Sequence, residues 1–81
     1  MQAMWETTHS DLVLQVQPSP EHDEREQLER VLAAQPGVSR VQIHAGERAL
    51  VIVDFDPRAI SPVGILRCVH AQGHVGRLLG V

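Results

Sequence analysis

The sequence predicts a small α+β domain whose elements run β-α-β-β-α-β. Three observations carry that prediction. Two Ser-Pro dipeptides, Ser19-Pro20 and Ser61-Pro62, each follow an apolar, strand-like run and open a helical pattern. Each helical pattern ends at a glycine followed shortly by valine, at Gly37-Val38 and at Gly73-His74-Val75. Between the two units, Gly46-Glu47-Arg48 separates two alternating runs closely enough to make them an antiparallel hairpin.

Residues 1–10 read as an N-terminal tail and residues 11–81 as the domain. Trp5 stands out in the tail, because a lone exposed indole leaves a large apolar area in water unless it covers something. Leu12, Leu14 and Val16 alternate with Val13, Gln15 and Gln17, the period of a strand with one apolar face, and Pro18 stops it. Ser19-Pro20-Glu21 then reads as a helix start. Serine caps the free amides, proline suits the first helical position, and acids favour the positive end of the helix dipole. Leu28, Val31 and Leu32 form the inner stripe of this helix, and Glu21/Arg25, Arg25/Glu29 and Glu26/Arg30 pair one turn apart on its wet side. Pro36-Gly37 ends it.

Val41, Ile43 and Ala45 alternate with Arg40, Gln42 and His44 in a second strand. Ala49 to Phe55 is apolar on both faces until Asp54, which suits a central strand. Ser61-Pro62 opens the second helix, with Ile65, Leu66 and Val69 inward, and Gly73 closes it. Val75 to Val81 is the last strand, weakened by Gly76 and Gly80. Crossovers between parallel strands are right-handed, so two such units joined by a hairpin give a four-stranded antiparallel sheet of order 4-1-3-2 with both helices on one face. This is the ferredoxin-like split β-α-β arrangement.

Composition narrows the function. A chain of 81 residues buries only roughly 60–65% of its unfolded surface, so a shallow surface site fits it better than an enclosed cofactor cavity. The net charge is −3, all seven basic residues are arginines spread along the chain, and Trp5 and Phe55 are the only aromatics. Nucleic-acid binding needs clustered phosphate-neutralising groups and stacking platforms, and neither is present. The single cysteine, Cys68, excludes an internal disulfide framework, and every apolar run is too short to span a bilayer. A soluble cytoplasmic protein without membrane insertion is the expectation. Asp54, Asp56 and His44 supply no nucleophile–base pair, and no glycine-rich phosphate loop is present, so an enzyme is not expected.

From Leu12 to Val81 the chain resembles heavy-metal-associated domains, the fold of small copper and mercury chaperones and of the cytoplasmic metal domains of P-type ATPases. Leu32–Val41 (Leu-Ala-Ala-Gln-Pro-Gly-Val-Ser-Arg-Val) looks like that family's passage from helix one to strand two. Val51–Pro57 looks like its third strand and Asp-Pro exit, and Ile65 through Gly73-His74 like its second helix and following loop. The family carries a Met-x-Cys-x-x-Cys loop before helix one. Counted back from Gly37-Val38, the methionine position falls on Ser19, the first cysteine on Glu21 and the second on Glu24. Both thiolates are replaced. The acylphosphatase variant of the fold relies on an arginine in this loop, and residues 17–24 contain none.

The resemblance implies a binding module and places His74, the residue after the glycine of the last loop, near the metal loop. Glu21, His22, Glu24 and His74 are therefore the candidate ligands for a weakly bound divalent ion, with oxygen and imidazole donors in place of sulfur. The bland alternative is that acids fill the first turn because they complement the helix dipole. His70 and His74 are read as solvated, separated by the break at Gly73, and Cys68 as a small packing residue in helix two. The partner would be a metal-transport protein or a second copy of the chain. A metal-free module is the rival: Val13, Leu50 and Ile52 face the open side of the sheet and either receive a partner or lie under Trp5.

Overall fold

The computed structural model describes residues 9–80 and contains all six predicted elements. They are β1 (Ser10–Gln17), α1 (His22–Ala33), β2 (Val38–His44), β3 (Ala49–Phe55), α2 (Pro62–Ala71) and β4 (Val75–Gly80). The strands form one sheet of order β2-β3-β1-β4, antiparallel throughout. This is the ferredoxin-like α+β fold with the predicted strand order.

β3 lies between β2 and β1, where its continuous apolar run is needed on both faces. Ala49, Val51, Val53 and Phe55 are buried toward the helices, while Leu50, Ile52 and Asp54 are half-buried on the other face. The register sets Leu12 opposite Val53 and Leu14 opposite Val51, so the inner faces of β1 and β3 coincide. Leu28 and Leu32 of α1, and Ile65 and Val69 of α2, complete the core above them. Cys68 is half-buried and packs against this core, as expected of a small apolar side chain.

α2 starts as the sequence indicates. Ser61 is its N-cap, with Oγ accepting from the Gly64 N–H at 3.1 Å, and Pro62 opens the helix. α1 starts later than expected, at His22 with Glu21 as N-cap. The reason lies three residues on. A cap at Ser19 would set His22 at the return position, whereas a cap at Glu21 sets Glu24 there, and its Oε1 accepts from the Glu21 N–H at 2.9 Å. Ser19 instead directs its Oγ to the Gly46 carbonyl at 3.3 Å, tying the β1–α1 loop to the β2–β3 turn. Pro20, expected at the first helical position, is buried ahead of the cap.

Two glycines set the remaining geometry. Gly37 has φ +89°, and a Cβ there would sit 2.5 Å from the Ala59 Cβ, so both backbone and space demand glycine. Its carbonyl accepts from the Asp56 N–H at 2.7 Å, joining the start of β2 to the exit of β3. Gly73 has φ +88° and ends α2. The Gly73 N–H donates to His70 O at 2.9 Å and the His74 N–H to Val69 O at 3.3 Å, the two bonds of a Schellman motif.

On the open face of the sheet, Val13 lies directly opposite Ile52, and Leu50 opposite Gln15. These three apolar side chains are half-buried, and Trp5 lies outside the described residues. Among the described residues, the large apolar side chains that are exposed lie elsewhere, on α2 and β4.

Candidate functional site

The loop between β1 and α1 and the first turns of α1 bring titratable side chains together at one end of the molecule. Glu21 and Glu24 form the capping box that closes the N-terminus of α1. Each binds the other's backbone, so their carboxylates stabilise the helix start and face its free amides.

His22, Asp23 and Glu26 form a different group. One ligand atom from each lies within 4.8 Å of the others, and all three residues are exposed. His22 and Glu26 stand one helical turn apart, with Nε2 to Oε2 at 3.5 Å. On the other side of the ring, Arg25 Nη2 is 3.1 Å from His22 Nδ1. A guanidinium only donates, so Nδ1 is the acceptor, and the neutral ring carries its proton on Nε2 toward Glu26.

His74 is expected in solvent but is only 3% exposed. The Schellman turn holds its backbone, and its Nδ1 lies 3.3 Å from the Pro18 carbonyl. An Nδ1–H donated there leaves Nε2 as the acceptor nitrogen of the neutral ring. His74 thus reaches the β1–α1 loop, and with Asp23, Glu24, Gln27 and Gln72 it lines an open groove of about 220 Å³. His70, on the exposed side of α2, lines a different groove.

Of the four ligands expected from the sequence, then, the structure puts His22 in a cluster with Asp23 and Glu26. Glu21 and Glu24 lie in the helix cap, and His74 sits in the groove beside Asp23. Asp23 and Glu26 are the cluster members outside the four expected ligands. The signal for Glu26 was present: His22 and Glu26 are four residues apart on one helix.

Known structures share this fold. A putative copper-ion-binding protein from Bacillus anthracis str. Ames superimposes with a TM-score of 0.78 at 22% identity, covering 85% of this chain and 96% of its own. Oxidized MerP from Ralstonia metallidurans CH34 gives 0.80 at 17% identity, covering 88% and 97%. A copper binding domain from HMA7, a P-type ATPase, gives 0.77 at 20% identity, covering 86% and 93%. What the chain shares with them is the fold. It spans nearly their whole length and, with a single cysteine, lacks a Cys-x-x-Cys loop. No family model and no curated protein sequence matches it. Among the described residues, no helix is long and apolar enough to cross a membrane.

Proposed function

We propose that this chain is a small binding module of the heavy-metal-associated type that holds a borderline divalent ion, zinc or nickel, at the start of α1. The ligands in this reading are His22 Nε2 and the carboxylates of Asp23 and Glu26, with water completing the shell. The observation that carries it is the approach of three ligand atoms to within 4.8 Å of one another on the first turns of a helix. One imidazole and two carboxylates suit zinc or nickel better than copper(I), which prefers thiolate and thioether donors. That the copper binding domain from HMA7 and the putative copper-ion-binding protein have the same fold supports a metal-handling role.

The site is built for weak, exchangeable binding. Its ligands are exposed, Arg25 brings a positive charge to the same ring, and the helix N-terminus adds partial positive charge. Glu21 and Glu24 offset part of that charge from the cap, and His74 anchors the loop through Pro18. The cytoplasm, where a lone cysteine such as Cys68 stays a thiol, is the compartment that fits, and a metal-transport protein is the partner. Zinc titration followed by amide and imidazole resonances tests the reading. Saturable shifts centred on residues 22–26, abolished by His22→Ala, are expected; shifts absent there or unchanged in the variant contradict it.

A further inference from the structure

The α2–β4 part of the chain has the opposite character to the ion cluster. Residues 57–81 contain no aspartate or glutamate and three of the seven arginines, Arg58, Arg67 and Arg77. On this stretch Val63, Val75, Leu78 and Leu79 are exposed, at 55%, 62%, 40% and 50%. Val63, Leu66, Arg67 and His70 fall at i, i+3, i+4 and i+7 of α2, one stripe along the helix. With Val75 and Gly76 of β4 they line an open groove of about 270 Å³. A Cβ on Gly76 would approach Leu66 Cδ2 to 2.9 Å, so the glycine keeps α2 close to the strand at the groove floor.

Among the described residues β4 is also an edge strand, paired with β1 on one side only. Edge strands are normally blunted by proline, bulges or several charges. Both edge strands show a register shift toward their inner neighbour, β2 between Val38 and Arg40 and β4 opposite Val13 and Leu14, so neither shift covers a free edge. β4 (Val-Gly-Arg-Leu-Leu-Gly) has one charge and no proline, and its register shift lies on the side paired with β1.

From the groove, the open edge and the charge asymmetry together, we propose that the α2–β4 side receives an extended segment of a partner protein in which acidic and apolar residues alternate. The segment adds to β4 as a fifth strand through backbone hydrogen bonds. Its apolar side chains enter the groove against Val63 and Leu66, and its acidic side chains, of the other parity, point to the open face of the sheet. The acidic groups on that face meet Arg77, which stands opposite Gln15 there. The chain's own acids are concentrated on α1 and the β1–β3 face, so the basic character of this side selects for an acidic partner.

The test is selection of random decapeptides on the full 81-residue chain, followed by mapping of the enriched peptides on its amide resonances. Expected are sequences rich in Asp or Glu alternating with Val, Ile or Leu, shifts at residues 63–70 and 75–80, and slowed exchange of β4 amides. The variant R77E should weaken binding by about tenfold or more, with R77Q intermediate and both keeping dispersed spectra. The proposal is overturned if no peptide is enriched, if enrichment ignores charge, or if the shifts fall on α1. It is equally overturned if the chain alone dimerises through β4, or if binding requires removal of residues 1–8. Zinc binding at residues 22–26 is read separately, so either site can fail alone.

Discussion

Arg25 Nη2 lies 3.1 Å from His22 Nδ1, so this guanidinium holds the imidazole in the tautomer that points its proton at Glu26. An incoming ion must displace that proton from Nε2. The ring then either carries its proton on Nδ1, facing a guanidinium that cannot accept it, or pushes Arg25 aside. Arg25 therefore opposes metal binding twice, by charge and by tautomer. Arg25→Met should tighten zinc binding by roughly threefold to fivefold, the worth of removing one exposed like-charge contact. Calorimetry at fixed pH and salt measures it; an unchanged or weaker affinity would show that Nε2 is not the donor.

Cys68 packs against the core from α2 and belongs to no ligand cluster among the described residues. Cys68→Ala should leave zinc affinity unchanged and cost about 1 kcal/mol or less in stability, as small apolar exchanges do. Loss of binding in this variant would make the thiol a ligand and remove the oxygen–imidazole account.

Gly37 joins two demands, a left-handed backbone at φ +89° and a close approach to Ala59. Gly37→Ala should destabilise the fold by about 3 kcal/mol, combining the left-handed penalty with overpacking. Ser61→Ala, which removes only the α2 cap, should cost about 1 kcal/mol. Urea unfolding ranks the two, and an equal or reversed ranking would contradict the packing at the α1–β2 turn.

Asp11 and Asp54 are directly opposite on β1 and β3. The hydrogen bond to Asp54, and then its charge, raise the Asp11 carboxyl above its ordinary value of 3.8. The folded state thus holds the Asp11 proton more tightly than the unfolded chain does. Stability from this pair is full below 3.8 and is lost as pH rises through the higher folded value. Asp56 has the opposite sign. Hydrogen bonds from Arg58 lower its pKa, so its contribution is present above 3.8 and is lost as pH falls through the depressed value. Asp54→Asn should therefore stabilise the protein at pH 7 and lose that advantage in acid. Unfolding midpoints measured across pH 3–7 check it; a variant less stable at pH 7 would contradict the repulsion.

Most of the fold was legible in the sequence because local and global signals agree. β3 announces its central place by being apolar on both faces, and Ser61-Pro62 caps and opens α2 in the way serine and proline favour. The start of α1 was misread because two caps compete there. Ser19 is the better capping residue by type, but only Glu21 has a glutamate three residues later. The site was less legible because ligand clustering depends on which carboxylates the backbone has already engaged. Glu21 and Glu24 are spoken for by the helix cap, which passes the role to Asp23 and Glu26. The burial of His74 follows from the Schellman turn at Gly73 and from the Pro18 carbonyl 56 residues away in sequence, a contact no local pattern encodes.

Imidazole resonances of His22 during zinc titration test the central claim most directly, because they report which ring nitrogen changes its protonation or ligation. Saturable loss of the Nε2 proton signature at His22, with amide shifts at Asp23 and Glu26 and none at Cys68, is the predicted result. An unperturbed His22 ring, with zinc-induced shifts elsewhere or nowhere, would contradict a metal site at the start of α1.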